Sequence, residues 1–368
     1  MIETRLEALR ALQQANGVDC VALMPGANLH YFTGLAMHLS ERPAVAFVPR
    51  EGPLAVVLPH LEAPAAERIL PEGARLYTYR DEEGHEHIFH QIANDLALEK
   101  AAIGIEYLAM RVLEMRRIEQ AFVDSALLAV EPWLPALRMA KDESEIAFMR
   151  RAVEIAERAM RQLLDEGAIC AGRTELEIAA DLQIAMLREG GQGEAFAPIV
   201  VGGPNSAAPH AHTSERPLAD GDLVVIDWGT TYAGYRSDIT RTFVLGEPTP
   251  EMIQIHDAVL AANQAGRLSA RAGAPAQDVD RVARRAITLA GYGEFFIHRT
   301  GHGLGLETHE PPYLVEGNLD ILQPGMTFTV EPGVYVPGLG GVRIEDDVVV
   351  TELGRETLTT LPRDLVSL

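Results

Sequence analysis

Five residues in the second half of this chain have types and positions suited to holding divalent cations: Asp227, Asp238, His302, Glu331 and Glu345. Asp227 closes the apolar run Leu223-Val-Val-Ile, and Glu331 closes Met326-Thr-Phe-Thr-Val. Glu345 lies within Arg343-Ile-Glu-Asp-Asp-Val-Val-Val, and Asp238 stands just before Ile-Thr-Arg-Thr-Phe. A carboxylate at the end of an apolar strand is costly unless it is paired. Any one of these acids could be satisfied by hydrogen bonds or by Arg236, Arg241 or Arg343 nearby. Four at related positions are better explained by cations, and an oxygen-rich, His-poor set suits hard divalent ions. Two ions about 3.5–4 Å apart need bridging carboxylates, and four acids with one imidazole suffice.

The imidazole is His302, in Thr300-Gly-His-Gly-Leu-Gly-Leu. Flanking glycines let the backbone bend and bring the ring close to a crowded centre. The alternating glycines do not form a phosphate-cradling loop, because the spacing is not G-x-G-x-x-G and no strand-to-helix context surrounds them. His210, in Ala-Ala-Pro-His-Ala-His, and His309, seven residues after His302, are candidates for orienting a carbonyl and stabilising its oxyanion. His212 stands beside His210 as a further pocket candidate. A second cluster, His85, His87 and His90, reads as solvated side chains near a domain edge. No H-E-x-x-H helix or G-x-S-x-G elbow occurs, which removes single-zinc proteases of that type and the usual serine hydrolases.

The acidic positions are partly duplicated. Gly221-Asp-Leu-Val-Val-Ile-Asp-Trp-Gly229 parallels Gly325-Met-Thr-Phe-Thr-Val-Glu-Pro-Gly333. In each, a glycine opens an apolar strand ending in a carboxylate, and another carboxylate follows 11 or 14 residues later. This suggests two β units that each offer two acidic side chains.

The elements that must position these residues fall into two groups. Residues 1–135 alternate helix and strand: a helix over 3–16, strands at Val18–Met24, Ala44–Val48, Leu54–Leu58 and Ala102–Ile105, and a helix over 86–98. That alternation predicts a small α/β domain. After Pro132 and Pro135 a second domain, 142–368, begins with Asp142 and Glu145 as a capping box. Ile146, Met149, Val153, Ala156, Met160 and Leu163 follow at helical spacing. Helices are expected over 174–189, 251–272 and 276–291, with short strands elsewhere.

Length and composition bound the rest. The chain has 368 residues, suited to two domains, and 47% hydrophobic residues to fill their cores. Thirty-one basic against 53 acidic residues leave a net charge of −22, which repels phosphate backbones and anionic membranes. Nucleic-acid and membrane partners are therefore not expected. Cys20 and Cys170 carry no motif and fit a reducing compartment. The first ten residues read as an amphipathic helix, not a signal peptide, and no apolar run is long enough to span a membrane, so the cytoplasm is the expected location.

Several segments together resemble the pita-bread metallopeptidases, in the branch holding aminopeptidase P and prolidase. They are Asp227-Trp-Gly, Tyr235-Arg-Ser-Asp-Ile-Thr-Arg-Thr-Phe, Gly301-His-Gly-Leu-Gly-Leu, Val330-Glu-Pro-Gly-Val-Tyr and Gly341-Val-Arg-Ile-Glu-Asp. Pro25-Gly-Ala-Asn-Leu-His-Tyr-Phe-Thr-Gly-Leu resembles the creatinase-type N-terminal domain of that branch. The resemblance implies an α/β (α+β) architecture: a small creatinase-type N-terminal domain and a pita-bread catalytic domain, associated as a homodimer. It implies a peptidase that hydrolyses the N-terminal Xaa-Pro bond of proline-containing peptides through a hydroxide bridging two metal ions. Asp227 would chelate one ion, His302 and Glu331 the other, and Asp238 and Glu345 would bridge both. Glu331 would double as general base, His210 and His309 would stabilise the tetrahedral intermediate, and Arg343 would support the acidic ligands. Mn(II) is the first expectation, with Co(II) or Zn(II) as alternatives. Dipeptide-specific members that this sequence resembles often carry an arginine eleven residues after the ligand histidine; here that position is Tyr313. The same scaffold also hosts amidinohydrolase-like enzymes without metals and metal-dependent lyases, which make up the competing reading.

Overall fold

A computed structural model describes residues 2–209 and 211–368. The chain divides into two compact units, one ending at Arg138 and one running Met139–Leu368.

The first unit is built on six strands: β1 (Cys20–Leu23), β2 (Val45–Pro49), β3 (Ala55–Pro59), β4 (Arg75–Tyr79), β5 (Ala102–Ile105) and β6 (Ala126–Ala129). They form one sheet in the order β4-β3-β2-β1-β5-β6. The β1–β5, β5–β6 and β3–β4 pairs are parallel and the two central pairs antiparallel. The intervening helices are α1 (Ile2–Asn16), α2 (Ala27–Thr33), α3 (Ala63–Ile69), α4 (Glu86–Leu96) and α5 (Val112–Ala121), with one turn, α6 (Ala136–Met139), near the boundary. β1, β2 and β3 are buried along their whole length, as expected of strands covered on both faces. Helices α2, α3, α5 and α6 and the strands β4 and β6 lie where the sequence pattern predicts none. On α5 only Glu114, Ile118 and Ala121 are buried, too few apolar positions to produce a visible period.

In the second unit the predicted capping box is present: Asp142 accepts from the backbone N–H groups of Ser144 and Glu145, both at 2.9 Å, and Glu145 accepts from that of Asp142 at 2.9 Å. It opens α7 (Glu143–Asp165), which buries Ile146, Met149, Val153, Ala156, Met160 and Leu163. Helices α8 (Glu175–Arg188), α9 (Pro250–Ser269) and α10 (Ala276–Leu289) complete the helical layer. Strands follow in two larger sheets. β7 (Ile199–Gly202), β8 (Leu223–Trp228), β11 (Ile239–Val244) and β19 (Val366–Ser367) form one, in the order β19-β11-β8-β7. β12 (Gly301–Gly303), β13 (Glu310–Leu314), β14 (Thr327–Val330), β17 (Asp346–Thr351) and β18 (Gly354–Thr357) form the other, in the order β13-β12-β14-β17-β18. Two small ribbons pair β9 (Thr231–Tyr232) with β10 (Tyr235–Arg236) and β15 (Gly333–Val336) with β16 (Gly340–Arg343).

Helices lock these sheets from behind. The indole of the fully buried Trp228 donates to the carbonyl of Ala156 at 2.9 Å, fixing β8 to α7. The buried side-chain amide of Asn263, on α9, lies 3.0 Å from the carbonyl of Val330 and 2.9 Å from Asp346. It thus pins the end of β14 to the start of β17. No helix is long and apolar enough to cross a membrane among the described residues.

Candidate metal centre

Each acidic candidate stands where a strand meets a turn. Asp227 lies one residue from the end of β8, opposite Thr240 of the antiparallel neighbour β11, and Asp238 immediately precedes β11. In the second sheet Val330 pairs with Asp346, so Glu331 and Glu345 are the next residue on each side, just beyond the paired register. Glu345 is therefore not inside one continuous strand, as the sequence suggests. The chain breaks between β16 and β17, and there the backbone of Glu345 donates to the carbonyl of Thr240 at 3.1 Å. That bridge brings one sheet's carboxylates to the other's.

His302 is the central residue of β12. The glycines beside it have a different cause from the bend expected. Gly301 and Gly303 belong to the strand, and a Cβ on Gly301 would sit 1.9 Å from the carbonyl oxygen of Thr329. One on Gly303 would sit 2.3 Å from that of Pro311. Glycine is required because neighbouring backbones approach so closely.

Ligating atoms of Asp238, His302 and Glu345 all lie within 4.8 Å of one another, and all three residues are buried. Glu331 reaches within 3.3 Å of the Nε2 of His302, and Asp238 within 3.7 Å. Asp227 is held by Arg343 at 2.6 Å through Oδ2, while its buried Oδ1 has no hydrogen-bond partner among the described residues. Arg343 also donates to Thr240 at 3.1 Å and to the hydroxyl of Tyr335 at 3.0 Å. The Nδ1 of His302 faces the carbonyl of Gly303 at 3.1 Å, so the proton belongs there and Nε2 is left as a lone-pair donor aimed at the acids.

The electrostatics call for positive charge. Burial, then the charges of Glu345 and Asp227, push Asp238 well above the usual carboxylate range. Burial, then Glu331 and Asp227, do the same to Glu345. Burial raises Glu331 to about 7. His302 is lowered to about 3 by burial and by His309, so its ring is neutral. Acids that repel one another, an imidazole fixed as a donor and an orphaned carboxylate oxygen together fit divalent cations. Beneath them Asp346 behaves oppositely: burial would raise it, but Arg241 and Arg363 outweigh that and hold it well below the ordinary range. It is a structural anchor, with no part in the cluster.

These residues line a cavity of about 860 Å³. Phe196, Ala197, Ile199 and Pro209 give it an apolar wall, and His212 and His309 also face it. The ring of His309 meets that of His302 edge-on with centroids 4.1 Å apart. His210 lies outside the described residues. His87 and His90 are exposed on α4, and His85 packs edge-on against Tyr79 and Phe89; the cluster of three joins no metal-sized group among the described residues. His298, Arg299 and Tyr335, which the sequence pattern does not single out, also line the cavity. Their signal was proximity in sequence to His302 and Glu331.

Comparison with known proteins gives the family. Residues 147–352 match the model for metallopeptidase family M24, and residues 5–140 match that for the creatinase/prolidase N-terminal domain. The chain belongs to metallopeptidase family M24. It thus joins a creatinase-type N-terminal domain to a pita-bread domain and is a hydrolase of peptides. It is 37% identical over 369 residues to the probable dipeptidase PepE of Mycobacterium tuberculosis, covering 99% of this chain and 96% of that protein. It is 34% identical to the Xaa-Pro dipeptidase of Pyrococcus furiosus, over 99% of this chain and all of that one. Among solved structures, the recombinant prolidase of Thermococcus sibiricus superposes with a TM-score of 0.94 at 35% identity, over 100% of this chain and 99% of that chain. M24 membership implies divalent metal ions, which the residues of the cluster fit.

Proposed function

We propose that this M24 peptidase hydrolyses the N-terminal Xaa-Pro bond of peptides at a centre for two divalent ions. The observation carrying this reading is the buried convergence of Asp238, His302 and Glu345, with Asp227 and Glu331 against them. Asp227 would hold one ion, His302 and Glu331 the other, and Asp238 and Glu345 both. Mn(II) is the first choice, ahead of Co(II) or Zn(II), for a set with four carboxylates and one nitrogen. When bound, the ions supply an acidified water as nucleophile and polarise the scissile carbonyl.

The chain's own residues supply the remaining chemistry. Glu331 passes the proton from the nucleophile toward the departing nitrogen. His309, with His210, orients the carbonyl and donates to its oxygen as charge develops. Arg343 fixes the rotamer of Asp227. The wall of Phe196, Ile199 and Pro209 offers an apolar face to a pyrrolidine ring. Support for proline comes from relatives: those in Pyrococcus and Thermococcus are named Xaa-Pro dipeptidase and prolidase. The reading includes a homodimer in the cytoplasm, and light scattering on purified protein would test the dimer.

The activity test reloads metal-stripped protein with Mn(II) and follows Ala-Pro and Ala-Pro-Ala together by mass spectrometry. Loss of either peptide, abolished by chelator and by Asp227→Ala or Glu331→Ala, is the expected result. Persistence of both peptides after repeats with Co(II) and Zn(II) would remove the Xaa-Pro assignment.

A further inference from the structure

Three arginines line the cavity, and two are fully engaged. Arg236 donates to the carbonyl of Ala195 at 3.0 Å and to the hydroxyl of Thr308 at 2.5 Å. Arg343 is spread over Asp227, Thr240 and Tyr335. The guanidinium of Arg299 has no hydrogen bond or ion pair among the described residues. Instead its Cζ lies 4.5 Å from the centroid of the Tyr313 ring. Tyr313 is the residue paired with His302 across β12 and β13, so the stack stands beside the candidate centre.

Stacking of this kind sets the plane of a guanidinium and leaves its N–H edge free to donate. The root of Arg299 is fixed as well. His298 donates from Nδ1 to the carbonyl of Arg299 at 2.7 Å and accepts at Nε2 from the hydroxyl of Tyr335 at 3.0 Å. Tyr335 in turn accepts from Arg343, which holds Asp227. A continuous set of contacts therefore links the backbone of Arg299 to the acidic cluster. A rigid, half-buried fork with unused donors, opening on a cavity, is shaped for a planar anion that accepts two parallel hydrogen bonds.

Resting on the Xaa-Pro reading, we propose that Arg299, stacked on Tyr313, receives the free carboxylate of the substrate and makes the enzyme selective for dipeptides. Tyr313, which departs from the arginine that dipeptide-specific relatives often place there, then serves as the platform for an arginine supplied from the irregular stretch just before β12.

The test compares wild type, Arg299→Met and Arg299→Lys on Ala-Pro, Ala-Pro-NH2 and Glu-Pro-NH2. It is paired with calorimetric titration of L-proline and L-prolinamide into the same proteins. Arg299→Met should lower kcat/KM on Ala-Pro by about 10- to 100-fold, chiefly through KM, the loss expected for one charge-assisted pair. Ala-Pro-NH2 should change little, and Arg299→Lys should fall between. An equal loss on Ala-Pro and Ala-Pro-NH2, or no loss on Ala-Pro, overturns the proposal. A loss confined to Glu-Pro-NH2 assigns Arg299 to a side-chain carboxylate and also overturns it. If wild type cleaves none of the three, the Xaa-Pro reading falls, and calorimetry decides this one separately. Proline bound more tightly than prolinamide by wild type alone supports the carboxylate site; no such preference overturns it.

Discussion

Arg343 shows how much of the candidate centre depends on residues that would not themselves touch a metal. It is buried and donates at 2.6 Å to Oδ2 of Asp227, while the buried Oδ1 has no hydrogen-bond partner among the described residues. Truncating it would free Asp227 to rotate and would strand Tyr335 and His298. Arg343→Met should therefore weaken Mn(II) binding by about 10- to 100-fold, the usual cost of losing an outer support, while far-UV circular dichroism stays unchanged. Equilibrium dialysis against Mn(II) checks this, and an unaltered affinity would mean that Asp227 needs no such support. At this scale the sequence was informative because physics penalises the residues themselves. A carboxylate ending an apolar strand is conspicuous, and four of them pointed to one place. The Arg299–Tyr313 stack is not legible, because it depends on how the irregular stretch before β12 lies against β13.

At the scale of elements, β12 decides whether His302 can be presented at all. Its glycines are set by neighbouring carbonyls, and a methyl group on Gly301 would meet the carbonyl of Thr329 at 1.9 Å. The strands would have to separate. Gly301→Ala should destabilise the metal-free protein by about 1–3 kcal/mol or more, as overpacking generally does. Urea unfolding measures this, and a midpoint equal to wild type would show that the strands yield freely. Local rules made α7 readable in advance, since the capping box of Asp142 and Glu145 involves side chains and backbone only three residues apart. Glu345 was misplaced within a strand because Arg343-Ile-Glu-Asp-Asp-Val alternates well enough to be one. The break between β16 and β17 coincides with the contact to Thr240, 105 residues away along the chain. Helices α2, α3, α5 and α6 are not legible in the sequence because short elements with few buried positions leave little periodic trace.

Across the whole second unit, the two larger sheets meet at the cluster. Asp227 and Asp238 come from the β8–β11 pair, and His302, Glu331 and Glu345 from the sheet of β12, β14 and β17. Ions bound there would cross-link the sheets and relieve carboxylates that now repel one another. Stability and metal binding should therefore be linked: Mn(II) at a hundred times its dissociation constant should add about 2.7 kcal/mol to unfolding. Scanning calorimetry with and without chelator reads the shift, and a melting temperature indifferent to metal would place the ions elsewhere.

The same arrangement has a consequence in time. Asp227 and Glu345 are 345 − 227 = 118 positions apart. At about 5–20 residues per second, a ribosome needs roughly 6–24 s to add the last carboxylate after the first. Throughout that interval the growing chain carries part of a ligand set and cannot close it. Metal must then be loaded onto a protein whose second unit is nearly complete, and a chain released before Glu345 would have a folded start and a centre that never forms.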